Sequence, residues 1–277
     1  HGLEIAAEDL SFARSLEKLE NIFLDGCQLT GNSVLDPLAE LPQLKWLSLR
    51  ASSVTDQQLI PLGKAEMLSG LDLGETEVGD AGLAHLAMMK NLKRLRLGGT
   101  RVSDQGLASL ADYHELDVLV LDSTAITDRG LVHLEQLKEL QTLSLEDTGV
   151  TGAGLIHLAG LTKLTHLLVE GTQITDAGLV HLKNLEKLGF LGRLPEFNDA
   201  FTPVGLCRLV IYLPEYEGYF DSRASSPFAG QIFTASRAAG YLQENVPAEE
   251  LSADERQQMA RLLLAGGTQM GGGGGMM

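Results

Sequence analysis

The chain has 277 residues with 37 acidic and 21 basic side chains, which gives a formal net charge of −16 at neutral pH. Acidic residues outnumber basic ones both in residues 1–194 and in residues 195–277. This balance argues against a nucleic acid partner, since a phosphate backbone requires a surface rich in lysine and arginine. No apolar run is long enough to cross a membrane and no signal peptide is visible, so we expect no membrane partner.

A pattern of 24 residues recurs along most of the chain, most clearly at 116–139, LDVLVLDSTAITDRGLVHLEQLKE. Its alternating leucines predict a short strand with leucine inward, and the spacing G-L-x-x-L-x-x-L predicts a short helix with one buried stripe. A fixed period of this length predicts a solenoid whose stacked turns bury a continuous core. Copies of the pattern start at Leu44, Leu68, Leu92, Leu116, Leu140, Leu164 and, more weakly, Leu188.

The stretch 172–188, TQITDAGLVHLKNLEKL, resembles the leucine-rich repeats of F-box/leucine-rich-repeat proteins and their bacterial relatives. The resemblance covers about residues 10–209. It implies an α/β leucine-rich repeat solenoid, with a curved parallel sheet on the concave face and short helices on the convex face. No F-box is seen in the sequence, so the resemblance implies no role in a ubiquitin ligase.

The two ends of the repeat array differ from its middle. Residues 1–19 match the second half of a turn, so the first strand, near residues 22–24, has an unpaired edge. Either residues 1–9 cover that edge or a preceding segment is missing. We therefore expect a solenoid of about seven turns over 1–194, a degenerate last repeat with an aromatic-rich cap over 195–265, and a disordered Gly/Met tail over 266–277.

Two further patterns refine these boundaries. Nine of the thirteen Phe and Tyr residues lie between Phe197 and Tyr241, which favours a cap that covers the last leucine face. Ser252 and Glu255 have the spacing of a capping box, which predicts a helix to about Leu264.

The two cysteines, Cys27 and Cys207, lie about seven turns apart, on the order of 30 Å at the spacing of β-strands. This separation excludes a disulfide between them. Unpaired cysteines favour a reducing compartment such as the cytoplasm. The chain starts with His1 rather than Met, so the sequence does not decide where the native N-terminus lies.

Threonine and aspartate recur before each predicted helix, as in Thr127-Asp128 and Thr175-Asp176. Ser, Thr and Asp accept hydrogen bonds from the unpaired N–H groups of a first helical turn, so we interpret the column as helix caps. The threonine at the preceding bend, for example Thr100, is expected to bond the backbone of that bend.

Outward strand positions form the concave face, which is the usual binding surface of a solenoid. Parallel stacking predicts that Asp72 lies beside Arg96 and Asp25 beside Arg50, while Arg94 has no obvious partner. We expect Trp46, the single tryptophan, to be exposed beside these arginines, as at interface hot spots. The candidate partner-binding residues are Trp46, Arg50, Asp72, Arg94, Arg96, Asp122, Glu146, Asp147, His166 and Glu170.

Two columns of ionisable residues allow more than one interpretation. Asp122, Glu146 and Glu170 are like charges on neighbouring strands, which is destabilising and favours a basic partner or a cation unless solvent screens them. A histidine column on the helices could bind a metal or sense pH, or it could be ordinary partly exposed surface. Its members are His85, His133, His157 and His181.

No catalytic motif accompanies the repeats, so we expect neither an enzyme nor a cofactor. The sequence favours a non-catalytic scaffold module that binds a protein or peptide on its concave face. An alternative is a recognition segment of a larger enzyme or signalling protein whose catalytic domain lies outside this chain. A third hypothesis places an enzyme site in the aromatic segment 195–250.

Overall fold

A computed structural model describes residues 2–188, 190–191 and 235–267. Its strands are β1 (Glu4–Ile5), β2 (Asn21–Phe23), β3 (Gln28–Leu29), β4 (Trp46–Ser48), β5 (Gly70–Asp72), β6 (Arg94–Arg96), β7 (Val118–Val120), β8 (Thr142–Ser144), β9 (His166–Leu168) and β10 (Phe190–Leu191). The α-helices are α1 (Ala7–Leu10), α2 (Asp36–Ala39), α3 (Asp80–Leu86), α4 (Asp104–Leu107), α5 (Asp128–Leu131), α6 (Ala235–Asn245) and α7 (Ala253–Gly267). Short 3₁₀ helices lie at Ser11–Ser15, Asp56–Lys64, Ala108–Leu110, Val132–Leu134, Gly152–Leu158 and Asp176–Leu182.

Eight strands form one parallel sheet in the order β2, β4, β5, β6, β7, β8, β9, β10. Equivalent repeat positions pair directly, so Trp46 lies opposite Gly70 and Gly70 opposite Arg94. The predicted fold, an α/β solenoid with a parallel sheet, is confirmed, and so is the predicted strand register. Several convex helices are partly or wholly 3₁₀ rather than α, because each spans about two turns at most.

The leucines of strands and helices meet in one continuous core. Leu47, Leu71 and Leu95 from successive strands are fully buried, as are Leu59, Leu83 and other helix leucines. Threonine closes the bend after each strand from β5 to β9, since the Thr100 hydroxyl donates to the Leu97 carbonyl at 2.6 Å and its counterparts do the same. The predicted bond from threonine to its own bend is thus confirmed.

The aspartates before the helices connect neighbouring turns. Asp104 accepts from the backbone N–H of Thr127 at 2.7 Å and from its hydroxyl at 2.6 Å. Asp80 accepts in the same way from Ser103, and Asp128 from Thr151. These repeated bonds tie each helix start to the next turn.

Helix capping is therefore divided between two residue types. The Thr127 hydroxyl accepts from the Arg129 N–H at 3.3 Å, so threonine is the cap of its helix. The capping prediction was right for Ser and Thr and wrong for Asp, because the aspartate begins the helix and turns toward the following repeat. A Cβ added at Gly130 would lie 2.5 Å from Asp104 Oδ1, and Gly82, Gly106 and Gly154 face the aspartate of the preceding turn in the same way, which explains these glycines.

The first strand of the large sheet keeps an unpaired outer edge within the described residues. Residues 4–5 do not cover it. They form β1, which pairs in parallel with β3, with Glu4 opposite Gln28 and Ile5 opposite Leu29. The hypothesis that residues 1–9 cover the edge of β2 is wrong for the described part of this segment. Its backbone pairs with β3, at the bend that follows β2, and not with β2 itself.

The C-terminal helices carry the predicted capping box. The Ser252 N–H donates to Glu255 at 2.7 Å, and the Glu255 N–H donates to the Ser252 hydroxyl at 3.1 Å. The helix α7 continues to Gly267, so the expected tail from 266 starts at least two residues too early. Lys183, which follows the last 3₁₀ helix, lies 2.5 Å from Asp254 and so connects α7 to the solenoid.

The rest of the expected cap, residues 192–234, and the tail at 268–277 lie outside the described residues, as does Cys207. None of the helices described here has the length and apolar character of a membrane span.

Candidate binding face

Trp46 lies flat on the sheet rather than projecting into solvent. A Cβ added at Gly70 would come within 2.2 Å of the indole ring, so the ring covers that glycine. The Arg96 guanidinium lies 5.6 Å from the centre of the ring, within the range of a cation–π interaction. The expectation of an exposed Trp46 was wrong. Residue 70 is glycine, and because it has no side chain the indole ring can pack flat against the sheet at this position. Its outer face stays available to a partner.

A concave cavity of about 510 Å³ opens beside Trp46 at the N-terminal ends of the first strands. We call it the aromatic–basic pocket. Phe23, which is 65% exposed, forms its apolar wall together with Trp46. Four cationic side chains and one carboxylate also line it, namely Lys45, Lys93, Arg94, Arg96 and Asp117. Asn21, Ser69 and Gly70 make up the rest of the lining.

The arginines have acidic neighbours, but not all of those expected. Arg96 lies 3.4 Å from Asp72, so this predicted pair is confirmed. The Arg50 guanidinium contacts Glu75 instead of Asp25, and this contact raises the pKa of Arg50 through a hydrogen bond and charge attraction. Asp25 does lie beside Arg50, as predicted, but its carboxylate accepts from the Arg50 backbone N–H and from the Ser48 hydroxyl instead of pairing with the guanidinium.

Arg94 also has an acidic neighbour, contrary to expectation. Its Nε lies 4.0 Å from Asp117 Oδ1, across the space between two strands. That oxygen is buried and has no hydrogen-bond partner within the described residues. The Arg94 side chain is 62% exposed, so it can still reach a bound group in the pocket.

A second concave hollow, of about 210 Å³, lies at the opposite ends of the strands and has a glycine floor. A Cβ added at Gly98 would meet its nearest atom, the Asp122 carbonyl oxygen, at 3.5 Å, which is ordinary contact. The concave face thus has a shallow floor at Gly74 and Gly98, whereas Gly70 is covered by Trp46.

The acidic column contains two different kinds of carboxylate. Asp122 accepts from the Ser144 hydroxyl and from the Glu146 backbone N–H, which repeats the arrangement of Asp25. Glu146 lacks such support. Burial, followed by the charges of Asp122, Glu170 and Asp147, raises the pKa of Glu146 above its ordinary value. The destabilising repulsion predicted for this column thus centres on Glu146.

Asp147 occupies a position at which the backbone is left-handed in successive turns, with φ of 54°. A Cβ added at Gly171 would lie 2.0 Å from Asp147 Oδ1, so this carboxylate lies over the next turn near Glu170. His166 is farther along the same face, where the Thr165 hydroxyl lies 2.9 Å from His166 Nδ1. The structure thus gathers Glu146, Asp147 and Glu170 at one end and Trp46, Arg94 and Arg96 at the other.

Within the described parts of the chain, the histidine column does not gather three potential metal ligands at one place. His157 Nδ1 lies 2.6 Å from Glu135 of the preceding turn.

The binding residues predicted from the sequence omit Phe23, Lys45, Lys93 and Asp117, which all line the aromatic–basic pocket. Lys45, Lys93 and Asp117 share one repeat position, immediately before a strand, and their side chains extend back over the concave rim. A search of the residues flanking each strand, and not only of the outward strand positions, could have found them.

Comparisons with known proteins agree with this architecture. The leucine-rich repeat family matches residues 89–111 and 160–183. No curated protein matches the sequence. An internalin (InlF) from Listeria monocytogenes has a similar structure, with 27% identity over 66% of this chain and 50% of its own, and a TM-score of 0.56.

Two further solved structures are similar. Internalin C2 of Listeria monocytogenes is 26% identical over 68% of this chain and 74% of its own, with a TM-score of 0.55. A TDR receptor shares the fold at 16% identity, over 68% of this chain and 32% of its own, with a TM-score of 0.50. The chain thus spans about half the length of the InlF chain. The repeat matches, the internalin likeness and the parallel solenoid together show that the chain is a leucine-rich repeat protein.

Proposed function

We propose that this protein is a non-catalytic interaction module that binds a protein or peptide on its concave face. The observation that carries the proposal is the aromatic–basic pocket, where Phe23 and Trp46 stand beside four cationic side chains. Tryptophan and arginine are the residue types whose truncation most often weakens an interface strongly. Solenoids present such concave faces as extended binding surfaces, and leucine-rich repeat proteins generally bind proteins.

The alternative, a recognition segment of a larger enzyme or signalling protein, uses the same surface. In that case the concave face selects the target and chemistry occurs elsewhere. The two hypotheses share the contacts proposed here, and the sequence preceding His1 in the full reading frame distinguishes them. The third hypothesis, an enzyme site in 195–250, falls mainly on residues outside those described.

The proposal can be tested by site-specific photo-crosslinking followed by binding measurements. A photoreactive residue placed at Val120 on the concave face should capture the partner, while the same residue at Val132 on the convex face should not. With the captured partner, Trp46→Ala and Arg94→Ala should each weaken binding at least tenfold, equivalent to about 1.4 kcal/mol.

Controls separate binding from folding. Gly98→Ala fills the glycine floor without strain, so it should weaken binding at an unchanged melting temperature. His133→Ala on the convex side should leave the dissociation constant unchanged. If His133→Ala abolishes binding while the concave changes are silent, the working surface is the helical side and the proposal is wrong.

A further inference from the structure

The concave face carries opposite charges at its two ends. The aromatic–basic pocket lies at β4 to β6, with Lys45, Lys93, Arg94 and Arg96 around it. Glu146, Asp147 and Glu170 lie beyond the opposite ends of β8 and β9. The two groups are also separate along the chain, since the cationic residues lie between positions 45 and 96 and the carboxylates between positions 146 and 170.

The basic end stands out against a chain whose formal net charge is −16. At physiological ionic strength the Debye length is about 8 Å, so a bound group feels the cations of the pocket and their own partners, such as Asp72 and Asp117, more than the distant acidic end. Lys45 and Lys93 pair only at the rim, with Glu20 at 2.8 Å and Glu115 at 3.7 Å, and their side chains are about half exposed. They can therefore reorient toward an incoming carboxylate.

The pocket also fits an apolar group. Phe23 and Trp46 form walls on two neighbouring strands, and the cavity of about 510 Å³ can take an aromatic or large aliphatic side chain. A partner segment with an acidic side chain next to an apolar one would therefore place the apolar group against Phe23 and Trp46 and the carboxylate against the cationic side chains of the rim.

At the acidic end, the Glu146 carboxylate lacks, among the described residues, the hydrogen bonds that hold other carboxylates of this face, such as Asp122. Asp122 is held by two hydrogen bonds, whereas Glu146 is partly buried and faces three other carboxylates. A lysine or arginine of a partner would reduce this repulsion. Repulsion that a partner relieves contributes to specificity, because partners without the matching charge leave it in place.

The distance between the two ends sets the spacing of the partner's charges. Arg94 and Glu146 are separated by two strands and by four positions along the strand direction, which corresponds to roughly 16 Å. An extended peptide covers that distance in about five residues.

We propose that the concave face binds an extended, charge-segregated peptide segment, with an acidic and aromatic end in the aromatic–basic pocket and a lysine or arginine about five residues away against Glu146 and Glu170. This inference rests on the proposed function and adds the chemistry and the alignment of the partner. The proposed occupant of the concave face is a peptide segment of a protein partner.

The test uses synthetic peptides of about twelve residues, long enough to reach both ends. One has an acidic, tyrosine-containing block and a basic block, and a second has the same composition with alternating charges. Fluorescence anisotropy at roughly physiological ionic strength gives the dissociation constants. The segregated peptide should bind at least tenfold more tightly than the alternating one.

Charge variants test where each block binds. Arg94→Glu should weaken binding of the segregated peptide at least tenfold. Arg101→Glu makes the same change in net charge at a side chain that is 70% exposed and lies outside the pocket, so it should have little effect. Glu146→Gln and Glu170→Gln together should weaken the segregated peptide and leave a peptide with the acidic block alone unaffected.

Three results would overturn the inference. The first is equal affinity for the segregated and alternating peptides, the second is equal effects of the Arg94 and Arg101 changes, and the third is no binding of any peptide by the folded protein. Each leaves the proposed function standing if the partner still crosslinks at Val120. Capture at Val132 alone, by contrast, contradicts the proposed function itself.

Discussion

Among single residues, Glu146 shows most clearly how the repeat places like charges together. Its neighbours in the column are Asp122 and Glu170, one turn away on either side. Hydrogen bonds from Ser144 and the backbone hold Asp122, whereas burial and three negative charges act on Glu146. The unfavourable interaction is therefore concentrated at one carboxylate.

We predict that Glu146→Gln leaves stability at pH 7 unchanged or raises it by up to about 1 kcal/mol. The sign follows from linkage, since a carboxyl whose pKa is raised by folding stabilises the folded state when protonated and loses that contribution as pH rises. The difference between variant and wild type should shrink below the ordinary pKa of 4.5. Urea unfolding at several pH values measures it, and a clear loss of stability at pH 7 would mean that Glu146 is paired.

Backbone strain at the left-handed position gives a second prediction. Ser123 has a φ of 53°, whereas the equivalent residue of the preceding turn is Gly99, with a φ of 70°. A side chain in this region costs on the order of 1 kcal/mol, so Ser123→Gly should stabilise the protein by up to that amount. Gly99→Ala, the reverse change one turn away, should destabilise it. If both changes act in the same direction in thermal unfolding, this strain is not the cause.

At the scale of elements, the aspartate that begins each helix fixes the stacking of turns. Asp104 contributes two hydrogen bonds to Thr127, and the absence of a side chain at Gly130 leaves room for its carboxylate. The 3₁₀ helix Gly152–Leu158 has glycine at the position where the other helices have this aspartate. There a Cβ on Gly152 would lie 2.9 Å from the Gly178 Cα, so close backbone contact takes the place of the carboxylate.

We predict that Asp104→Ala lowers the free energy of unfolding by about 1–3 kcal/mol, because the partly buried Thr127 N–H loses its acceptor. Asp112→Ala, which removes a carboxylate that is 66% exposed and pairs with Lys90, should change it by less than about 0.5 kcal/mol. Chemical denaturation of both variants makes the comparison.

A double-mutant cycle tests the steric part of this account. Gly130→Ala should destabilise the wild type, and its cost should be smaller in the Asp104→Ala background, where the contact at 2.5 Å is gone. Equal costs in the two backgrounds would show that the carboxylate does not require the glycine.

At the scale of the whole molecule, the ends of the stack decide how far the core is protected. Stability in a solenoid comes from contacts between neighbouring turns, so an uncovered last turn exposes a leucine face. Lys183 and Asp254 join the last turns to α7, which supports a covering role for the C-terminal region. The assignment of 195–265 as a cap remains a proposal.

We predict that truncation after Leu194 lowers the melting temperature or causes aggregation, because it removes α6, α7 and the Asp254 contact. Truncation after 267 should have little effect. Differential scanning calorimetry and light scattering compare the two with the intact chain. If both truncated proteins behave like the intact one, the cap assignment is wrong.

The sequence by itself determined the fold, the strand register and the capping box at Ser252, because these follow from local periodicity and short-range hydrogen bonds. A 24-residue period forces equivalent positions onto neighbouring strands, so the pairing of Asp72 with Arg96 could be predicted before any coordinates existed. The acidic column could be predicted for the same reason.

Only the tertiary structure decided how side chains of neighbouring turns divide the space between them. Trp46 lies over Gly70, Arg50 turns to Glu75, and Asp104 reaches Thr127. Each outcome depends on the direction of a flexible side chain and on the room left by a residue about 24 positions away. A sequence pattern specifies which positions meet, but packing and competing hydrogen bonds specify which atoms do.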